Sequence, residues 1–303
     1  MPGKRIAAAS LCAGAALAFA AVLFSPVGSP QQQTAAAAAP AEVPAVYASP
    51  ALDKLASNLA VQIAHNKMHS VVVLGVLGNE RAVTKLGGAM LDAFTAALSR
   101  QSRGVKVIDS AALREFLRQQ RISEDMIYSD VLAPWIVEGT RADGFVTTHL
   151  ETLESGSVLF GVQLAVLHSE NFDREPWIKT KMDLSDAQMR SADQGFEVTS
   201  RFPLVQFGSP GFASPECIAC PKPEYSHQAR EMNIIGVTRM MFTVRPDGVT
   251  DEVYVARALG YGMDVKAVNA VLAWKFKPAA DSQGHPVAMR MLIDVTFAPW
   301  QPQ

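Results

Sequence analysis

The sequence has few of the residues on which several function classes depend. Of its 303 residues, three are cysteine, too few for a scaffold stapled by disulfides. Its six histidines show no metal-ligand spacing, so zinc chemistry is disfavoured. The net charge of −2 at pH 7 gives no basic surface for nucleic acid. We therefore expect neither a metal ion nor a nucleic-acid partner.

The motifs of common enzyme classes are also missing. The sequence has no G-x-S-x-G turn, no glycine-rich loop ending in Lys-Ser or Lys-Thr, and no H-E-x-x-H. Catalysis needs titratable groups that converge on one point, and no segment of this chain groups them. We expect that the chain is not an enzyme and uses no cofactor.

The amino terminus contains an uncharged stretch, Ile6 to Phe24, directly after Lys4 and Arg5. As a helix it would extend about 28 Å, close to the thickness of a bilayer core. It is equally typical of a signal peptide, because Ala18-Phe19-Ala20 offers small residues for cleavage. Residues 1–24 are thus predicted to be a signal anchor or a signal peptide, and in both cases the rest is exported.

The remaining length is enough for about two domains. Residues 25–50 are rich in Ala, Pro and Gln with one charge, Glu42, which predicts an extended tether. We divide the rest into an α/β domain at 51–200, a linker at 201–222 and a small domain at 223–300.

Residues 51–200 alternate between helical and strand patterns. Apolar residues recur three and four apart from Leu52 to Ile63, and Val71–Leu77 is an apolar run expected to be buried on both faces. The runs Gly144–Leu150 and Ser157–Leu167 are placed to form a hairpin. This pattern predicts an α/β domain with a mixed sheet.

Four short segments carry a resemblance to a known group of domains: Ser70–Leu74, the helix start Thr84-Lys-Leu-Gly87, Val107-Ile-Asp109 and Ala142–Val146. Their order resembles the α/β domain of curli-secretion and flagellar-assembly accessory lipoproteins, and more distantly the amino-terminal domain of the Tol-system propeller protein. The resemblance implies a periplasmic recognition or assembly module, without naming a ligand.

Cys217 and Cys220 lie between proline-rich flanks in the linker. An exported chain favours a structural disulfide between them. Their spacing also fits a redox dithiol, although Pro221 and Pro223 leave little helix to lower a thiol pKa. A metal site is the third alternative, for which His227 is the one further ligand nearby.

Residues 223–300 have the pattern of a small α+β unit. Apolar and polar residues alternate from Met240 to Val255 on both sides of the turn Pro246-Asp247-Gly248, which predicts a hairpin. Apolar residues follow at helical spacing from Met263 to Trp274, with Asp264 placed to favour the helix dipole. Strict alternation over Val287–Phe297 predicts a last strand, so the order is β-β-α-β.

This unit contains a series of short motifs in a defined order. They are Pro223-Glu-Tyr225, Ala229-Arg230, Gly236, Phe242-Thr-Val244, Asp247-Gly-Val249, Met263-Asp264, Ala273–Ala279 and Gly284–Val287. Together they resemble the C-terminal domain of the TonB energy-transducer family. The fold class we predict is therefore an N-terminal membrane helix, an α/β middle domain with a mixed sheet, and a TonB-like C-terminal domain.

The resemblance implies that an exposed edge of the C-terminal sheet takes a peptide from an outer-membrane TonB-dependent receptor by β-augmentation. The last strand is the candidate edge. Its outward residues Arg290, Leu292, Asp294 and Thr296 are predicted to contact the peptide, although a solvated sheet face explains the same alternation.

The predicted function is that of a TonB-type protein in the inner membrane, single-pass with a periplasmic bulk, or soluble in the periplasm after signal cleavage. It would bind receptor peptides and transduce energy from an inner-membrane proton-channel complex. Energy transducers carry a membrane histidine, which Ile6–Phe24 lacks. The alternative is an envelope assembly or scaffold protein without force transmission. A thiol oxidoreductase centred on Cys217 and Cys220 is the third hypothesis.

Overall fold

The computed structural model describes residues 49–77, 84–153, 156–168, 171–185 and 200–298. The predicted signal anchor at 1–24 and nearly all of the tether lie outside these ranges. Within them, no helix has both the length and the apolar character needed to span a bilayer. All described residues belong to one compact unit, within Glu42–Gln303, which contains two main sheets.

The first sheet lies in the middle lobe, which we define as described residues 49–185. Its strands are β1 Ser70–Leu77, β2 Lys106–Ile108, β3 Gly144–Thr152, β4 Ser157–His168, β5 Asn171–Arg174 and β6 Ile178–Asp183. β1 is parallel to β2 and β3, whereas β4 is antiparallel to β3 on one edge and to β5 and β6 on the other. The sheet is mixed, as the sequence predicted.

Helices cover both sides of this sheet: α1 Pro50–His65, α2 Lys85–Gln101, α3 Ser110–Gln119, a 3-10 helix Glu124–Tyr128, and α4 Ala133–Thr140. The side-chain oxygens of Ser49, Thr84 and Asp109 cap α1, α2 and α3 by accepting hydrogen bonds from backbone N–H groups in the first turn. Phe94 of α2 packs on Phe160 of β4, with ring centroids 5.6 Å apart. The side chains of Val71 to Leu74 are buried, which confirms that β1 is covered on both faces.

The second sheet lies in the C-terminal lobe, described residues 200–298. Its elements are β7 Leu204–Gln206, β8 Glu216–Ala219, α5 His227–Glu231, β9 Gly236–Val244, β10 Thr250–Arg257, α6 Met263–Ala273, β11 Lys275–Lys277, β12 Ala279–Ala280 and β13 Pro286–Phe297. The sheet order is β10-β9-β13-β12, with β7 also paired to β13, and β8 pairs separately with β11. The predicted β-β-α-β order corresponds to β9, β10, α6 and β13.

Helix α6 packs on one face of this second sheet. Its residues Met263, Ala267 and Val271 are fully buried, and they face strand residues that include Phe242. Trp274, directly after the helix, lies edge-on to Phe242 with ring centroids 6.0 Å apart. The apolar face of α6 and the inward face of β9 therefore build the core of the C-terminal lobe.

The two lobes are joined along the outer edge of β10. The Val253 amide donates to the Arg121 carbonyl at 3.1 Å, and the Ser123 amide donates to the Val253 carbonyl at 3.0 Å. The Arg121 guanidinium also donates to the carbonyls of Thr250 and Leu272, at 3.1 and 3.0 Å. A short segment of the middle lobe thus pairs with β10 in the manner of an added strand.

Candidate binding edge

Strand β13 is paired differently on its two edges. Its inner edge pairs with β9 over residues 289–297 in an unbroken register. Its outer edge is covered at the start only, by β12 at residues 286–287 and by β7 at residues 288–290. Beyond Arg290, no strand in the described part of the chain lies against the outer edge. The segment Met291–Phe297 is therefore an open edge.

The hydrogen-bond alternation of the sheet shows which backbone groups this edge presents. The Arg245 amide donates to the Val249 carbonyl, so the backbone of the preceding Val244 is directed the other way, toward β13. Because Val244 is opposite Met289 and the register continues without a bulge, the backbone groups of alternate residues point away from β9. These residues are Leu292, Asp294 and Thr296.

The opposite edge of the same sheet is not available in this way. Its edge strand is β10, and the middle lobe already pairs with that strand at Val253. In the five-stranded sheet as described, Met291–Phe297 is thus the longest segment whose outer backbone groups face no other strand.

Three of the four predicted contact residues lie on this open segment. The side chains of Leu292 and Thr296 are exposed, Leu292 to 58%. Asp294 accepts two hydrogen bonds from the Arg239 guanidinium across the strands, at 2.7 and 2.9 Å. These bonds lower the pKa of Asp294 and raise the pKa of Arg239 from their ordinary values. The open edge therefore combines an exposed apolar side chain with an exposed ion pair.

Arg290, the fourth predicted contact residue, lies where the edge is already covered. It is opposite Gln206 of β7. Its guanidinium is 3.6 Å from the Glu252 carboxylate and is only partly exposed. The structure thus places Arg290 beside the other three on the same strand, but in a charged cluster next to the middle lobe.

This charged cluster was not found from the sequence. Glu252 accepts hydrogen bonds from the hydroxyls of Ser200 and Thr243, at 2.7 and 2.9 Å, and Arg201 pairs with the buried Asp251. Glu252 has a left-handed backbone, φ 48°, at an irregularity in the pairing of β10. Because its members come from distant parts of the chain, their spacing carries no local signal. The cluster lies beside Arg290, next to Ser123 of the middle lobe.

Cys217 and Cys220 are joined by a disulfide at the end of β8. Strand β8 is exposed throughout and pairs with β11. Within the described ranges, no group of three or more His, Cys, Asp or Glu side chains is placed to hold a metal ion. The disulfide closes a very short loop at the surface.

Replacing both cysteines by serine is expected to reduce the free energy of unfolding by about 2 kcal/mol at most, because so short a loop restricts the unfolded chain little. Chemical denaturation of the wild type and the double variant would measure the difference. We also expect no catalysis of insulin reduction by the wild type. Turnover that disappears in the double variant would contradict a structural role and support a redox one.

The C-terminal lobe matches a known family. A family model described as the Gram-negative bacterial TonB protein C-terminal matches residues 221–299. The chain therefore carries a TonB-like C-terminal domain, as the motifs predicted. No curated protein matches the chain.

Solved structures show more distant likenesses. The C-terminal domain of TonB from Pseudomonas aeruginosa is 21% identical, with 34% of this chain and 100% of that chain covered and a TM-score of 0.25. The C-terminal domain of LpoB from Escherichia coli is 12% identical, with 44% and 98% covered and a TM-score of 0.35. A lipoprotein of Neisseria meningitidis is 12% identical, with 39% and 83% covered and a TM-score of 0.30. None of these likenesses carries a function over to this chain.

Proposed function

We propose that this chain is a periplasmic adaptor that binds an extended peptide of an outer-membrane receptor along the outer edge of β13. A TonB-like domain implies interaction with outer-membrane receptors in general, and it suggests that the bulk of the chain is periplasmic. The observation that supports the proposal best is the open edge Met291–Phe297. A peptide there would pair with the outward backbone groups of Leu292, Asp294 and Thr296.

The open edge also offers two kinds of side-chain recognition. Leu292 gives an exposed apolar surface near the start of the segment. Asp294 and Arg239 present an exposed pair of opposite charges beside it. Backbone pairing would supply affinity for any extended peptide, and these side chains would select among sequences.

The proposal extends to an inner-membrane anchor and to energy transduction. The anchor rests on the uncharged stretch Ile6–Phe24 and the preceding Lys4 and Arg5. The partner in transduction would be a proton-channel complex in the inner membrane. Measuring the molecular mass of the chain in membrane and soluble fractions, with and without residues 2–24, distinguishes an anchor from a cleaved signal peptide.

A scaffold without force transmission is the second candidate, and one observation favours it. The middle lobe pairs with β10 through Arg121 and Ser123, so the TonB-like domain is held against a second folded lobe. Deleting the gene for this chain would distinguish the two candidate functions. Loss of energy-dependent uptake through outer-membrane receptors supports transduction, whereas normal uptake with a weakened envelope supports the scaffold.

Replacing Leu292 by proline is expected to weaken binding of a receptor peptide about tenfold or more, because proline removes the outward N–H and its ring blocks the edge. The fold should tolerate the change, since proline is accommodated on edge strands whose N–H is not used within the sheet. Fluorescence anisotropy would measure the affinity of the full-length chain for labelled peptides from receptor amino-terminal segments.

The matched control is Leu292→Ala, which removes the side chain but keeps the N–H. We expect it to lose about threefold in affinity or less, as for a rim contact. Thr296→Pro is a second blocking variant, and circular dichroism checks the fold of each. Undiminished peptide binding by a folded Leu292→Pro variant, or no binding by the wild type, would refute docking at this edge.

A further inference from the structure

A cavity of about 360 Å³ opens on the sheet of the middle lobe. Thr147 and His149 of β3 lie on its floor, on one face of the strand. Tyr128 and Asp130, at and after the end of the 3-10 helix, line one wall. Arg174, the last residue of β5, and Trp177, directly before β6, line another. The volume falls in the range of small-molecule sites.

The ring of Trp177 is positioned by the strand beneath it. A Cβ atom added at Gly161 of β4 would lie 3.4 and 3.6 Å from two carbons of this ring, which is van der Waals distance, so the ring rests against the strand. The side chain nevertheless stays 43% exposed. A supported aromatic ring with a free surface is a platform on which a flat apolar face of a ligand stacks.

The planar side chains of Arg174 and Gln163 beside the cavity are held by hydrogen bonds. The Arg174 guanidinium pairs with Asp130 at 3.2 Å and donates to the Gln163 side chain at 3.3 Å. It also lies 5.4 Å from the centre of the Phe145 ring. Gln163 is itself fixed, because its amide donates to the Glu175 carbonyl at 3.0 Å. Arg174 and Asp130 both remain about half exposed.

The wall formed by Tyr128 depends on a second glycine. A Cβ atom at Gly75 would lie 2.2 Å from the Tyr128 ring, so that position has no room for a side chain. The Tyr128 hydroxyl accepts a hydrogen bond from Arg114 at 2.8 Å. Burial raises the pKa of Tyr128 above the ordinary value for a tyrosine. Packing thus holds Tyr128 in the cavity wall, whereas Arg174 and Asp130 are held by their ion pair and stay about half exposed.

We propose that this cavity binds a neutral carbohydrate. A pyranose ring has an apolar C–H face that suits Trp177, and its edge hydroxyls suit the carboxylate of Asp130 and the guanidinium of Arg174. A phosphate ligand is disfavoured because Asp130 offsets the charge of Arg174. A wholly apolar ligand would desolvate this ion pair without replacing its hydrogen bonds.

The two sources of such a ligand in the periplasm are the glycan of the cell envelope and an imported sugar. The periplasmic setting rests on the proposed function, but sugar binding does not depend on the open edge of β13. Tri-N-acetylglucosamine and maltotriose represent the two sources as probes. Tryptophan fluorescence and saturation-transfer NMR on the full-length chain would measure the binding of each.

We expect at least one of the two sugars to bind saturably, with a dissociation constant of about 1 mM or lower. Trp177→Ala should weaken it about tenfold or more, and Asp130→Asn about threefold or more, through the lost stacking and the lost charged acceptor. Trp177→Phe keeps an aromatic ring and should retain most of the affinity. Phe207→Ala, an exposed aromatic of the C-terminal lobe, is the matched control and should bind like the wild type.

The result also identifies the source, since preference for one probe separates envelope glycan from imported sugar. The proposal is overturned if neither sugar binds at about 10 mM, a concentration well above weak lectin-like affinity. It is equally overturned if a folded Trp177→Ala variant binds as tightly as the wild type. A loss of receptor-peptide binding in Leu292→Pro with sugar binding intact would show that the two sites are separate.

Discussion

Replacing Gly248 by alanine is expected to destabilise the C-terminal lobe by about 3 to 5 kcal/mol, among the largest effects of a single added methyl group. Gly248 has φ +78°, and a Cβ atom there would lie 2.0 Å from the Phe276 carbonyl oxygen. That oxygen belongs to the backbone, so it moves only if β11 moves. The Phe276 amide also donates to the Gly248 carbonyl at 2.9 Å, which holds the two backbones together.

The effect should reach the core of the lobe, because Phe276 packs on Phe242 with ring centroids 5.9 Å apart. Urea denaturation followed by tryptophan fluorescence would report it, since Trp274 lies beside both rings. A shift in the midpoint without a change in slope would indicate a loss of stability in the folded lobe.

Gly284→Ala is the matched control. Gly284 has φ +84°, but no atom lies within 4 Å of a Cβ placed there. We therefore expect a cost of about 1 to 2 kcal/mol, from the left-handed backbone alone. Equal losses in the two variants would show that backbone strain, and not the contact with Phe276, makes Gly248 necessary.

Gly248 also shows how far the sequence could predict this fold. The sequence Pro246-Asp247-Gly248 predicts a turn, and the structure confirms a hairpin there. The contact with Phe276 could not be predicted, because it joins residues that no local pattern connects. For the same reason the sequence missed β7, β8, β11 and β12. Each has two to four residues, too few for a periodic pattern. β7, β8 and β11 also pair with distant segments, whereas β12 pairs with the nearby start of β13.

The candidate edge was likewise predictable from the sequence only in part. Alternation along the last strand predicted which side chains point outward, and Leu292 is among the most exposed apolar residues. It could not predict that Gln206 would lie opposite Arg290 or that the middle lobe would pair with Val253. The free length of an edge depends on long-range pairing, whereas the faces of a strand depend on its own sequence.

Replacing Asp264 by alanine is expected to cost about 3 to 5 kcal/mol as well, by leaving three buried or partly buried donors without an acceptor. The sequence placed Asp264 in the first turn of α6, where a negative charge favours the helix dipole. In the structure its side chain is buried and accepts three hydrogen bonds. The donors are the amides of Leu259 and Gly260, at 2.8 and 2.7 Å, and the Thr238 hydroxyl, at 2.9 Å.

Asp264 therefore ties the loop before α6 to strand β9, which a charge acting on the helix dipole alone would not do. Two variants separate these roles. Asp264→Asn removes the charge and keeps one oxygen, so it should cost about 2 kcal/mol, less than alanine. Asp247→Ala, which removes an exposed carboxylate that accepts from the Val249 amide, should cost about 1 kcal/mol or less.

Thermal and urea denaturation of the three variants would test this order, and the Thr238→Val variant adds a further check. Thr238 donates to the same carboxylate from a buried position in β9. If the three hydrogen bonds act together, Thr238→Val should cost much less in an Asp264→Ala background than in the wild type. Additive losses would show that the two residues stabilise the lobe independently. A loss of about 1 kcal/mol or less for Asp264→Ala would show that Asp264 acts mainly on the helix dipole, as the sequence predicts.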